Sequence, residues 1–272
     1  MGGAVHSGAH AAEHTTRVTS GRRHDPEVVV ESATESHSSR SSRNHRHAGH
    51  VGGGMGFTIG GIREIRSGSR RRGRSSECTA VAEFTGLWGW DAVPGARAAA
   101  GSCSCGRADC AAPGAHPLDF APHVPAGATL DDVAKTWGEF PGASVMLPVG
   151  QAFDVIEVAE PAGRRALVRL ERMGLPLGPV TATPEGRAHF FVAPGTAAEL
   201  PDLLYRMGWD DPTSLDLHGL GPGTHITAPP SDRGGLGPVR WLRPPALDTA
   251  TKPPAARLLL GTLAYVAHRS RA

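Results

Sequence analysis

Three cysteines and one histidine stand close together in the sequence Cys103-Ser-Cys105-Gly-Arg-Ala-Asp-Cys110-Ala-Ala-Pro-Gly-Ala-His116-Pro117. Thiolates and imidazole nitrogens are the donors that zinc takes four at a time, in a tetrahedron. Cys103, Cys105, Cys110 and His116 can supply that set, and the glycines and prolines between them let a loop wrap an ion. Four protein ligands would close the site, so the role implied is structural. Cys103 and Cys105 are closer together than usual for zinc ligands, and reduced thiols in a Gly/Ala loop are the plainer alternative. The fourth cysteine, Cys78, is expected to be an ordinary buried helix residue.

The chain that must position this loop has 272 residues and a formal net charge of +2. That length suits one domain or two small ones. The charge is too small to argue for nucleic acid by itself. Clustered cysteines without a secretory signal favour metal over disulfides. No apolar run reaches the roughly 20 residues needed to span a bilayer, so no membrane partner is expected and a cytoplasmic location is the default. Aromatic residues make up only 5% of the chain, and the shortage lies mostly at its front. Residues 1–54 are rich in His, Ser, Gly, Thr and Arg and show no periodicity. Such a segment buries too little apolar surface to offset its ordering entropy, so residues 1–76 are expected to be a disordered tail. The change of composition before Met55 also allows Met55 to be the true start. Within the tail, Arg70-Arg71-Arg72-Gly-Arg74 could attract phosphates without specificity.

From Glu77 the sequence reads as globular. A helix is expected over 77–88, with Val81, Phe84 and Trp88 on one face, then a strand over 90–93. Thr129-Leu-Asp-Asp132 is a capping-box-like helix start, followed by Leu130, Val133, Ala134 and Trp137 on one face. Strands are expected over 144–149 and 152–160, a helix over 163–173, and strands over 180–183 and 189–192 around a Pro-Glu-Gly turn. A helix opening at Thr196, short strands over 215–217, 224–227 and 239–242, and a last helix over 255–268 complete the list. This order implies an α/β (α+β) fold, with a domain over 77–245 and a C-terminal helix over 246–272 packed on it.

Several pieces then fall in a familiar order. They are Gly89-Trp90, the cysteine loop with Pro113-Gly114-Ala115-His116-Pro117, Trp137 before Pro141-Gly142-Ala143, and Val155-Ile-Glu157-Val. Thr183-Pro-Glu-Gly186-Arg-Ala-His189-Phe-Phe191, Asp216 and Ala228-Pro-Pro-Ser231 follow. The series over 77–241 resembles the bifunctional DNA primase/polymerase N-terminal domain, a branch of the archaeo-eukaryotic primase superfamily, in a short stand-alone form. The resemblance implies a mixed sheet with flanking helices and an RRM-like half. It implies template-directed nucleotidyl transfer with Mg²⁺ or Mn²⁺, and DNA and nucleoside triphosphates as partners. In that family the metals are held by an acidic pair two apart on one strand and by a later Asp, while a histidine contacts the nucleotide phosphates. Carried over, the first carboxylate is Glu157, the histidine His189 and the later acid Asp216. The second member of the pair falls on Ala159, which cannot ligate a metal. Strand side chains alternate, so Asp154 and Glu160 point away from the face of Glu157, and only a bulge could bring Glu160 round. Ala115 and His218 stand where the family often has Lys and Arg.

Three readings follow. One is an active small primase-polymerase using Glu157, His189 and Asp216. Another is a weakened or inactive relative that binds DNA or nucleotide as an accessory protein. The last is a zinc-stabilised interaction protein. No phosphate-binding Gly-x-x-x-x-Gly-Lys-Ser/Thr loop occurs, so a coupled helicase would be a separate protein.

Overall fold

The computed structural model describes residues 76–210 and 212–271, so the expectations for the histidine-rich tail and the basic run fall outside the described residues. The first element, helix α1, spans 76–86. It buries Val81 and Phe84, as their spacing predicts, and Cys78 is half-buried on it. Strand β1 (Val93–Gly95) follows, then a small hairpin of β2 (Ala98–Ala99) and β3 (Ser102–Cys103) that opens the cysteine loop. β1 lies later than the strand expected over 90–93, and before it Ala92 makes an isolated antiparallel bridge to Val124.

Helix α2 (Leu130–Glu139) begins with the capping box read from the sequence. The Thr129 hydroxyl accepts from the Asp132 N–H, and the Asp132 carboxylate accepts from the Thr129 N–H. Val133 and Trp137 are buried, whereas Leu130 is exposed at the first turn. Thr129→Ala removes the hydroxyl half of the box, keeping the backbone N–H bond to Asp132, and is expected to lower stability by about 1 kcal/mol. A urea melt checks this, and an unchanged midpoint would contradict it.

Strand β4 (Ser144–Pro148) pairs with β1 on one side and β9 (His225–Thr227) on the other, giving a three-stranded antiparallel sheet. The larger sheet is built from β5 (Asp154–Ala159), helix α3 (Glu160–Arg172), β6 (Val180–Ala182), β7 (Arg187–Val192), helix α4 (Thr196–Arg206) and β8 (His218–Leu220). Its strand order is β10-β6-β7-β5-β8, with β10 (Arg240–Arg243) added at the edge. Every pairing is antiparallel. The β5-α3-β6 and β7-α4-β8 units therefore each cross over one intervening strand, which is the split β-α-β arrangement of ferredoxin-like and RRM-like folds. The α+β class and the RRM-like half stand as expected from sequence.

Two sequence expectations are corrected. Helix α3 starts at Glu160 rather than 163, because Pro161 suits the first helical turn, where its missing N–H costs nothing. Residues 215–217 are not a strand. A 3-10 turn (Pro212–Leu215) leads into Asp216, which has a left-handed φ of 52°.

The two faces of the larger sheet differ. One buries Ile156, Val158, Ala188, Phe190 and Val192 beneath α3, α4 and the last helix, α6 (Arg257–Arg271). Gly163 lets α3 approach closely, since a Cβ there would meet the Ala188 Cβ at 2.6 Å. A short helix α5 (Leu247–Ala250), not read from the sequence, offers the Ala250 carbonyl to the Trp90 indole N–H. The other face buries Val155 and Phe191 against the smaller sheet, within a cluster holding Trp90, Phe153 and Trp241. The rings of Phe153 and Phe191 stack at 4.4 Å. An aromatic cluster thus fills the seam where the two sheets meet.

Candidate functional site

One row of cross-strand partners runs over the polar face: Trp241, Thr181, His189, Glu157 and His218. Glu157 and His189 are thus direct neighbours on the two central strands. Their carboxylate Oε2 and imidazole Nε2 lie 2.9 Å apart. An ionised carboxylate only accepts, so the imidazole carries its proton on Nε2 and donates. The buried Nδ1 of His189 and Oγ1 of Thr181, which belong to neighbouring residues in the row, have no hydrogen-bond partner among the described residues.

The next row pairs Ala159 with Arg187. Only a methyl group stands opposite the arginine, so the guanidinium has room to lie towards its strand neighbours. Its Nε is 3.2 Å from Glu157 Oε1, and its two terminal nitrogens donate to both oxygens of Asp216 at 2.7 and 3.0 Å. This fork explains the backbone at Asp216. Aspartate is among the few residues that visit the left-handed region, and the bidentate pair holds it there. His218 Nε2 completes the group, 3.2 Å from Asp216 Oδ1.

Glu157, His189 and Asp216 therefore do come together, and Arg187 joins them. Sequence reading did not single out Arg187. Its signal was present: it lies two residues before His189 on one strand, and so on the same face. The flanking acids do not replace the missing carboxylate. Asp154 is fully buried on the helix side, where it accepts the Ala197 N–H at the start of α4. Glu160 opens α3 and is taken by Arg164 and Arg240 at 2.7 and 2.6 Å.

Electrostatics follow the contacts. The hydrogen bond from His189, with the charge of Arg187 behind it, holds the Glu157 carboxyl below its ordinary value against the opposing effect of burial. Arg187 does the same for Asp216, and the two carboxylates raise Arg187 in turn. Carboxyls lowered by folding stabilise the native state above their unfolded values, near 4.5 for Glu157 and 3.8 for Asp216. That contribution is lost as pH falls through the lower folded values. This contribution is thus expected to be level above about pH 5, and the fall of stability in acid to be steeper than in an Arg187→Ala variant. Urea melts across this range read it directly, and parallel acid limbs in the two proteins would argue against the coupling.

The cysteine loop forms a second cluster. The ligand atoms of Cys103, Cys105, Cys110 and His116 all lie within 4.8 Å of one another. His116 Nε2 is 3.4 Å from Cys103 Sγ and 3.3 Å from Cys110 Sγ. A tetrahedron with bonds near 2.3 Å to sulfur and 2.0–2.1 Å to nitrogen has S···N edges of about 3.5 Å, so these spacings fit zinc. His116 Nδ1 lies 2.7 Å from the Pro117 carbonyl, which fixes the proton there and leaves Nε2 free to ligate. Burial opposes ionisation of Cys103. Hydrogen bonds from the Cys105 and Gly114 N–H groups, with those from the neighbouring thiols, outweigh it and bring the thiol down to about 7. Gly114 is held at φ 68° with its Cα against the Ala98 backbone, and a side chain there would collide with it.

The family model for the bifunctional DNA primase/polymerase N-terminal domain matches residues 82–256. The chain belongs to this family. The match takes in both sheets, the cysteine loop and the polar row, so Glu157, His189 and Asp216 lie within the family's own frame. No curated protein and no solved structure gives a significant match. Among the described residues, no helix is long and apolar enough to cross a membrane.

A pair of divalent ions, as the family's reaction implies, does not fit this donor set. Ala159 offers no oxygen, and both remaining carboxylates are already paired with one guanidinium, which offsets half of their charge. Hard cations need several oxygen ligands, and here Arg187 and His189 already engage the four that these two carboxylates offer.

Proposed function

We propose that this chain is a nucleotide- and DNA-binding member of the primase/polymerase family in which metal-dependent nucleotidyl transfer is weakened or lost. The observation that carries this reading is Arg187, spanning Glu157 and Asp216 opposite Ala159. A guanidinium is a fixed cation that suits phosphate oxygens bidentately. It cannot activate a hydroxyl as a bound metal does. In this reading Arg187 and His218 meet the phosphates of a nucleotide, His189 is held by Glu157, and Asp216 orients the guanidinium. The cysteine loop holds a structural zinc ion through Cys103, Cys105, Cys110 and His116.

The second reading, an active primase-polymerase, is favoured by the convergence of Glu157, His189 and Asp216 on one polar face. Primer extension and de novo priming with Mg²⁺ or Mn²⁺, run beside calorimetric nucleotide binding, separate the two. Nucleotide binding that weakens in Arg187→Ala, with no extension by the wild type, is the expected result. Extension that disappears in Glu157→Ala would replace it with the second reading. Binding of neither DNA nor nucleotide would leave only an interaction role for the domain.

A further inference from the structure

The helix side of the larger sheet has a charged feature that the polar face does not use. Helices α3 and α6 pack side by side, and a groove of about 900 Å³ lies along their outer surface. Five arginines line it, namely Arg164, Arg165, Arg169, Arg172 and Arg269, together with the ring of Tyr265. No carboxylate among the described residues lines it.

The arrangement follows from the α3 sequence. Ala162, Gly163, Ala166, Leu167 and Leu170 are committed to the core. Arg165, Arg169 and Arg172 then fall four and three residues apart, on one stripe about 10 Å long at 1.5 Å per residue. The two acids of this helix do not neutralise the stripe: Glu160 pairs with Arg164 and Arg240, and Glu171 pairs with Arg243 on β10. Like charges at this spacing oppose helix formation. Two of the arginines are nevertheless already held in position. Arg165 donates to the Ser270 hydroxyl, and Arg169 lies over the Tyr265 ring at 5.1 Å. Tyr265 remains 47% exposed, so part of its side chain is open beside the cations.

We propose that this groove is a docking site for single-stranded nucleic acid, on the opposite side of the sheet from the Glu157–Arg187 site. Guanidinium forks match phosphate oxygens, and the partly exposed tyrosine beside them offers a stacking platform for a base. An acidic peptide would gain from the charge but not from the ring. A membrane would meet only the rims of a groove sunk between two helices. The proposal stands independently of the reading given to the polar face.

The test uses the full chain and a fluorescent oligothymidylate of about 20 nucleotides, followed by anisotropy over a range of salt. Arg172→Glu with Arg269→Glu, both exposed positions, is expected to weaken binding at least tenfold. It should also flatten the salt dependence by about 0.7 per lost phosphate contact. Tyr265→Ala should weaken the oligothymidylate several-fold and leave an abasic strand of equal length unaffected, which charge alone would not produce. Arg187→Ala should leave this binding in place, so failure of the polar-face reading and failure of this one are distinguishable. Unchanged affinity in the double variant would overturn the proposal. So would polyglutamate of similar length competing as well as the oligonucleotide, which would assign the groove to acidic peptides.

Discussion

Cys110→Ser is expected to reduce bound zinc from about one per chain to below about 0.2, and to release the loop between β2 and Pro117 from its folded form. Structural zinc in small domains contributes on the order of 10 kcal/mol to the structure it closes. Little else could replace it here. The apolar cluster beneath the loop is small, with Ala96, Leu118 and Ala143 buried and Cys103, Cys105, Ala121 and Phe140 packed around them. Without the ion, three cysteines and an imidazole converge with no cation to hold them. The ends of the loop stay tied by Ala96 N–H to the His116 carbonyl and Leu118 N–H to the Pro94 carbonyl, and the two large cores lie elsewhere. The rest of the domain should therefore remain folded. Trypsin reads the difference, because Arg107 lies in the exposed part of the loop. Rapid cleavage there in Cys110→Ser, against slow cleavage in the zinc-loaded wild type, is the expected pattern. A full equivalent of zinc in the variant, or equal protection in both proteins, would remove the zinc assignment. The effect should also reach the polar face. The Gly234 N–H donates to the Gly114 carbonyl, and the neighbouring Arg233 holds Glu185, in the turn that leads to Arg187.

The zinc-type cluster was legible because its donors are close in sequence, so only a loop had to be inferred. The capping box at Thr129 and the buried face at Val133 and Trp137 were legible for the same local reason. Glu157, His189 and Asp216 were reached only through resemblance to a family, since residues far apart in a chain carry no mark of meeting. What remained hidden was set by register. That Arg187 stands opposite Ala159 depends on the pairing of β5 with β7, and periodicity of either strand alone cannot give it. Asp216 was misplaced on a strand for a related reason. Leu215 and Leu217 are both buried, which alternates as a strand would, but a long-range fork to Arg187 holds the backbone between them in a left-handed turn. Helix α3 was started late because the acid-proline opening Glu160-Pro161 was read as the end of a strand.

Arg187→Ala is expected to destabilise the domain by about 2 kcal/mol at neutral pH, between the value of an exposed ion pair and the 3–5 kcal/mol lost on breaking a buried one. The side chain is 24% exposed and its partners 22% and 36%, which places the group between those limits. The loss arises because Glu157 and Asp216 would then face each other without a cation. The same vacancy should admit a metal. Mn²⁺ at 100 times its dissociation constant stabilises a folded state by about 2.7 kcal/mol, so the variant's melting temperature should rise with Mn²⁺ while that of the wild type stays level. Adding Ala159→Asp to Arg187→Ala places a second carboxylate two residues from Glu157 on the same strand face, and Mn²⁺ should then bind at least tenfold more tightly. Ala159→Asp alone should not do so, because the new carboxylate would stand directly opposite Arg187 and pair with it. Zinc-loaded protein is used throughout, so that Mn²⁺ is read at the polar face alone. Equal stabilisation of wild type and Arg187→Ala by Mn²⁺ would mean that the guanidinium yields to metal in the native protein, and the site would then be that of a working polymerase. Stabilisation confined to the variants would make Arg187 the resident cation of a site whose metals have been displaced.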